Sequence, residues 1–400
     1  MAVLSLTDLN LFHKKVLVRV ELNVPLNEDG SIADLMRISE SIPTLRFLLE
    51  KEASIVLLSH FGKPEGKREK KYSLKPFQKV LSEMLGQEVL FEEDVLGKET
   101  KKRIENLKPK EILLLENLRF YPAEEHPEID PSFAQTLASY GDIYINDAFG
   151  GCHRKHSSIT SLPKAFPKAA AAGFLVEKEI QALRPLYSNP EQPFHAIIGG
   201  SKVSSKLKIL ESLIEKVQVL YIGGGMAFTF LKALGHSIGK SILEPDLLPA
   251  ARSLIEQCEK KGITLFLPQD IVIADSFSAQ ATKKIINTNE KAVPENWQGM
   301  DIGPKTLIEW EKSLTKAKTI FWNGPVGVFE WAAFSKGTFS LAKFLSKLPS
   351  YRVVGGGDSA SAIHQLGIDE KFTYISTGGG ASLEFLEQGT LPGIAALTQK

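Results

Sequence analysis

Short apolar runs alternate along this chain with longer stretches in which apolar residues recur every three or four positions, the signatures of buried strands and amphipathic helices. In the first half the runs at 16–20, 55–58, 112–115 and 143–145 predict strands. Helical spacing of Ile38, Ile42, Leu45, Leu48 and Leu49 predicts a helix whose first turn carries Arg37, and a second helix is expected at 74–85. Strands alternating with helices predict a parallel sheet covered on both faces. Each strand runs into polar residues: Glu21 and Asn23; Ser59, His60, Phe61, Gly62 and Lys63; Glu116, Asn117 and Arg119; Asn146 and Asp147. In α/β sheets the carboxyl ends of strands are where ligands bind.

The helical pattern FLVEKEIQALRPL at 174–186, followed by Ser188, Asn189, Pro190 and Pro193, marks a domain boundary. Beyond it, strands end in glycine: at Gly199 and Gly200, Gly223 to Gly225, Gly324, Gly355 to Gly357, and Gly378 to Gly380. Repeated glycine at strand ends implies one surface of exposed backbone suited to a polyphosphate. The stretch YRVVGGGDSASAI at 351–363 reads as strand, tight turn and helix start. Asp358 there would repel a bare phosphate, which points to Mg²⁺ held by one or two carboxylates and substrate oxygens; a glycine cap beside a solvated acid is the other reading of that stretch alone. Lys202 and Lys206, four residues apart, are expected on one helix face within 201–210. GHSIGKS at 235–241 has three residues between its glycines where a P-loop has four, and it follows a helical pattern, so it is not one. GGGDSA at 355–360 fits the loose dinucleotide pattern, but the strand at 372–375 ends in Ser376 and Thr377 with no acid to hold a ribose.

A chain of 400 residues with 43% hydrophobic content is expected to form two domains. Charge changes the picture by its balance: 48 basic against 47 acidic residues, net +1, leaves no global field for nucleic acid or membrane. Yet Arg19, Arg37, His60, Lys63, Arg119, His153, Arg154 and His156 cluster at strand ends or a helix start, which implies a small acidic ligand. A cation on a first helical turn opposes the macrodipole, so Arg37 either meets an anion or is an exposed side chain without a role. The amino terminus has no secretory pattern, and the longest apolar run, 169–176, is too short to span a bilayer, so a soluble cytoplasmic protein is expected. Cys152 and Cys258 are too few for a disulfide framework; Cys152 beside His153 reads as a space-filler before a nucleophile. His153 and His156 lack a third ligand for zinc.

The segments VRVELNVP, LLSHFGKP, LLLENLRF, GCHRKHSS, GGSKVSSK, GGGMAFTF, WNGPVGVFE, GGGDS and STGGGASLEFLE resemble, in order and spacing from Val16 to Ile394, the motifs of the phosphoglycerate kinase family. The resemblance implies two doubly wound, Rossmann-like α/β domains facing across a cleft: 1–173 for the phosphoglycerate, with 390–400 packing back on it, a connecting helix at 174–187, and 188–389 for Mg-nucleotide. It implies reversible transfer of the acyl phosphate of 1,3-bisphosphoglycerate to Mg-ADP by a monomer whose domains close by hinge-bending. Carried over by position, the phosphoglycerate falls on Glu21, Asn23, Arg37, His60, Phe61, Gly62, Lys63, Arg119 and Arg154. The nucleotide falls on Lys202, Lys206, Gly223, Gly224, Gly303, Asn323, Pro325, Glu330, Gly356, Gly357, Asp358 and Ser359, with Asp358 on Mg²⁺. Arg37 and Lys202 would flank the transferred phosphoryl group, with the amides of Gly379 and Gly380 as further donors. Two positions depart from the family pattern. Glu21 stands where Asp is usual, and Lys63 stands where Arg is commoner, which removes a planar fork from the substrate side. A dinucleotide-dependent dehydrogenase and a non-catalytic nucleotide-binding protein are the alternatives; the first lacks its ribose acid, and the second has no use for the cations.

Overall fold

The computed structural model describes residues 3–25, 27, 32, 35–288 and 292–398. The chain divides into two compact units, Met1–Gln181 with Thr390–Lys400, and Ala182–Gly389, and the division falls inside the helix Phe174–Ser188.

The first unit is built on six parallel strands: β1 (Lys15–Val20), β2 (Ser54–Leu58), β3 (Val89–Glu92), β4 (Ile112–Leu115), β5 (Ile143–Asp147) and β6 (Ala170–Ala172), in the order β3-β4-β2-β1-β5-β6. Every residue of β2, β4 and β5 is buried, because helices cover both faces. The chain leaves β1 toward β2 on one side and later returns to β5 on the other, so the sheet has its switch point between β1 and β5. The helix expected from Arg37 onward is two helices, Met36–Ser39 and Ile42–Glu50. Pro43 lies in the first turn of the second and has no N–H to bond back to residue 39, so a continuous helix would lack a rung there. Near the carboxyl terminus, Gly393 N–H donates to the Cys152 carbonyl (2.8 Å) and Thr398 bridges Val3; residues 399–400 of the tail lie outside the described residues.

The second unit has β7 (Phe194–Ile198), β8 (Val219–Ile222), β9 (Thr264–Phe266), β13 (Thr319–Asn323), β14 (Tyr351–Gly355) and β15 (Tyr374–Ile375) in one parallel sheet, ordered β15-β14-β13-β7-β8-β9. This is the doubly wound order, with its switch point between β7 and β13. A second, antiparallel sheet that the sequence reading did not anticipate joins β10 (Asp270–Ala274), β11 (Lys283–Asn287) and β12 (Gln298–Ile302) in the order β11-β10-β12. Trp310 and Trp322 are wholly buried in the core between the parallel sheet and its helices.

Candidate active site

The carboxyl ends of β1, β2 and β4 place one hydrogen-bonded cluster in the first unit. Gly62 N–H donates to Asn23 Oδ1 (2.9 Å), and Arg119 donates to the Gly62 carbonyl (2.7 Å). Arg37 donates to the Asn23 carbonyl (3.1 Å), and Asn23 N–H to the buried Glu21 Oε1 (3.1 Å). Buried Asn117 holds Phe61 through both its N–H and its carbonyl, and accepts from Arg119 N–H (3.0 Å). Lys63 and Arg154 are exposed. Burial, then Arg19, Arg119 and Arg154, holds His60 well below the ordinary histidine range; burial and the same arginines push His156 down to about 3. Both rings are therefore neutral at pH 7, and the positive charge of the cluster is carried by arginines, which stay protonated. Arg119 Nε lies 3.1 Å from Glu125 Oε1 without hydrogen-bond alignment, so among the described residues this ion pair leaves the guanidinium's donors incompletely used. Cys152 is buried and its thiol is pushed up to about 12 by burial, so it fills space and is no nucleophile. Among the described residues no group of three or more His, Cys, Asp or Glu could hold a metal ion.

In the second unit the glycine-ended loops after β7 and β8 do not form the exposed donor surface expected of them. Gly199 N–H bonds to the Asn323 carbonyl (2.8 Å), Gly200 to Pro325 (2.9 Å), Gly223 to Ile198 (2.9 Å) and Gly224 to Val326 (3.1 Å). These amides are consumed in locking three loops together at the switch point. Donors remain at the helix Gly357–Gln365, whose first turn presents the amides of Gly357, Asp358 and Ser359 without intrahelical partners, at the positive end of its dipole. The helix Gly380–Gln388, capped by Gly379, offers a second such end. Ser359 Oγ accepts from Gly324 N–H (2.7 Å), which ties the first helix start to the loop after β13.

The expectation that Lys202 and Lys206 share a helix face is corrected: helix begins only at Leu207, with Lys206 as the residue preceding it and Lys202 exposed in the loop. Lys206 instead turns to β13 and donates to Asn323 Oδ1. Burial lowers the Lys206 pKa while nearby Asp358 pulls it up. Asn323 is buried, and its Nδ2 has no hydrogen-bond partner among the described residues.

A cavity of about 330 Å³ opens beside this loop cluster. Its lining includes Gly224, Pro325, Glu330 and Asp358 together with Phe228, Ile242, Phe277 and Met300, with Phe277 66% and Ile242 42% exposed. Exposed apolar side chains in the wall of a cavity that Asp358, on the first turn of the helix Gly357–Gln365, also lines suit a flat ring with an anionic tail. Gly303 does not line it. It packs on buried Asp270, which caps the helix Pro304–Leu314 by accepting from Lys305 N–H (3.0 Å) and Thr306 N–H (2.7 Å).

Sequence reasoning also missed Asp301, a buried acid in the cavity wall that accepts from Ile302 N–H (2.9 Å) and Gly337 N–H (2.7 Å). Its only sequence signal is its place two residues before Gly303 at a strand end. Burial pushes its carboxyl from 3.8 up to about 8, against the pull of those amides and Lys283. The folded state thus keeps a proton that the unfolded state gives up near 4. The stability contributed by this group is full below about pH 4 and is lost as the pH rises through 8. Asp301→Asn should flatten the decline in melting temperature between pH 5 and pH 9; an unchanged slope would show that the carboxyl is ionised throughout.

The phosphoglycerate kinase family profile matches residues 6–389. The chain is 48% identical over 400 residues to the phosphoglycerate kinase of Moorella thermoacetica, covering 100% of both. It is 48% identical to the cytosolic phosphoglycerate kinase of Nicotiana tabacum, over 98% of this chain and 97% of that one. The solved structure of phosphoglycerate kinase from Coxiella burnetii superimposes with a TM-score of 0.88 at 40% identity, over 99% of both chains. That from Pyrococcus horikoshii gives a TM-score of 0.86 at 33% identity, over 98% of both.

Proposed function

The chain belongs to the phosphoglycerate kinase family, and from that premise we infer that the arginine cluster of the first unit takes the phosphoglycerate while the cavity of the second takes the nucleotide. The protein is a glycolytic phosphotransferase: it moves the acyl phosphate of 1,3-bisphosphoglycerate to ADP, reversibly, giving 3-phosphoglycerate and ATP. The dehydrogenase alternative is not favoured, since β15 runs into Ser376 and Thr377 and offers no ribose acid.

The observation that carries the assignment of sites is the segregation of charge. Arginines around neutral histidines sit at one sheet's strand ends, and helix-start amides with Lys206 sit at the other's. The chemistry asks for little more. The acceptor is a carboxylate already ionised near pH 7, so no general base is needed, and catalysis reduces to alignment and neutralisation of charge on the transferred oxygens. Asn23, His60 to Lys63, Arg119 and Arg154 hold the phosphoglycerate, with Glu21 orienting the Asn23 backbone. Lys206, Asn323 and the amides at 357–359 meet the nucleotide phosphates. Arg37, Lys202 and the amides of Gly379 and Gly380 act on the group in flight, and transfer requires the two units to close on their ligands so that water is excluded.

Asp358 fits a magnesium ion: an exposed carboxylate at a phosphate-favouring helix start is repulsive alone, and one carboxylate plus phosphate oxygens is an ordinary Mg²⁺ shell. The ion would arrive with the nucleotide and neutralise charge on its phosphates. No helix among the described residues is long and apolar enough to cross a membrane; the name of the cytosolic tobacco relative supports a cytoplasmic location.

A coupled assay with 3-phosphoglycerate and Mg-ATP tests the reading, and absence of turnover would overturn it. Asp358→Ala should raise KM for Mg-ATP at least tenfold, an order-of-magnitude figure for one lost metal ligand, and leave 3-phosphoglycerate binding within about twofold. Equal loss of both would assign Asp358 to the fold instead.

A further inference from the structure

Arg19 is a wholly buried guanidinium, in the interior of β1. Its Nε donates to Ser158 Oγ (3.0 Å), one terminal nitrogen donates to the Val20 carbonyl, and the other lies 2.7 Å from His60 Nδ1. Its orientation is over-determined. Ser158 gives its hydroxyl proton to Glu124 Oε1 (2.6 Å) and its N–H to Glu124 Oε2 (3.0 Å), and its carbonyl accepts from Tyr144 Oη (2.7 Å). Glu124 and Tyr144 are also wholly buried, so the group is clamped from two further elements.

A guanidinium has donors and no acceptor. The His60 nitrogen that meets it must therefore present a lone pair, and a proton on Nδ1 would point at an N–H. We propose that Arg19 is a positioning residue that fixes the His60 tautomer, leaving Nε2, on the far edge of the ring from β1, as the single protonated nitrogen and a neutral donor to the phosphoglycerate. This rests on the placement of His60 in the substrate site argued above. The ionisable groups that act on the ring most strongly besides Arg19 are Arg119, His156 and Arg154, from the turn after β4 and the segment after β5, and each of them disfavours imidazolium. The site thereby keeps a donor of fixed direction whose charge does not change as the pH passes through the usual histidine range.

The test uses the full chain labelled with ¹⁵N-histidine, with long-range ¹H–¹⁵N spectra recorded from pH 5 to 8 and the His60 signals assigned by their loss in His60→Ala. The expected result is a pyridine-type Nδ1 and a pyrrole-type Nε2 throughout. A pyrrole-type Nδ1, or an imidazolium titrating in this range, would overturn the proposal without any variant having to fold. Arg19→Met, and Arg19→Met with Glu124→Gln to keep the buried charge balanced, should convert the pattern to a tautomer mixture and raise KM for 3-phosphoglycerate about tenfold, the effect of one misdirected hydrogen bond, with kcat within about threefold. A merely structural Arg19 would lower the melting temperature and leave the His60 pattern and KM alone. Unchanged KM in His60→Ala would instead remove His60 from the substrate site, an outcome separable from the wild-type tautomer.

Discussion

Arg37→Ala is expected to lower kcat by about 10²- to 10³-fold, the range seen when one preorganised donor to a transition state is removed. Arg37 is half-buried, and its bond to the Asn23 carbonyl places the guanidinium beside the same Asn23 whose side chain holds Gly62. The argument from helix polarity falls away, because Arg37 lies in a helix of only 4 residues with little dipole to oppose. What remains is position: among the described residues, Arg37 is joined to the substrate loop by one backbone contact, and the other guanidinium donors have no described partner and can meet an incoming anion. Loss of that contact should change stability by only about 1 kcal/mol, the net value of one such hydrogen bond. Arg37→Lys should recover part of the activity, since a point charge cannot make two parallel bonds to one phosphoryl group. Lys63→Arg is the contrast: on an exposed residue assigned to ground-state binding, it should move KM for 3-phosphoglycerate more than kcat. Near-normal kcat in Arg37→Ala, or activity lost only in step with the melting temperature, would remove Arg37 from the chemistry.

The inner strands of the parallel sheets could be read because burial on two faces leaves a nearly unbroken apolar run, as in β2, β4 and β5, whereas the short edge strands β3, β6 and β9 went unread. Helix bounds were harder. The apolar spacing from Ile38 to Leu49 survives the break at 40–41, because Pro43 removes one hydrogen bond without changing which face is buried. Lys202 and Lys206 show the opposite case: helical spacing at positions the backbone does not take up until Leu207. Glycine at strand ends correctly marked close approach, but what approaches is a neighbouring loop, as Gly199 against Pro325 shows. The pairings that orient the first unit's cluster, Arg19 with Ser158 and Ser158 with Glu124, join residues 139 and 34 positions apart and leave no local signal. The apolar cavity wall was unreadable for the same reason, since Phe228, Ile242, Phe277 and Met300 come from separate segments.

Those interlocked loops should make Gly324→Ala strongly destabilising to the second unit, and Gly235→Ala provides the control. Both glycines have φ of +93°, so an alanine at either carries the same backbone strain, about 1–2 kcal/mol, partly offset by the lower entropy of the unfolded chain. Their surroundings differ. A Cβ at Gly235 would meet nothing within 4 Å, whereas one at Gly324 would run into the carbonyl of Gly199, which is backbone and cannot swing away. Relief of that clash requires β13 and β7 to part at their ends, and four bonds meet there: Gly199 N–H to Asn323, Gly200 N–H to Pro325, Trp322 Nε1 to the Gly324 carbonyl (2.8 Å), and Gly324 N–H to Ser359 Oγ. Weakening two of these buried bonds, at about 1–3 kcal/mol each, brings the expected loss to about 4 kcal/mol or more, against about 1 kcal/mol for Gly235→Ala. In a unit of this size that corresponds to melting about 10 °C lower for Gly324→Ala and only a few degrees lower for the control. Trp297, Trp310, Trp322 and Trp331 all lie in the second unit, so tryptophan fluorescence reports its unfolding without a contribution from the first. Because Ser359 anchors the phosphate-facing helix start to Gly324, KM for Mg-ATP should rise in Gly324→Ala while binding of 3-phosphoglycerate is retained. Equal melting shifts in the two variants would mean that the strands yield freely at the switch point, and that its loop bonds do not hold the nucleotide site in shape.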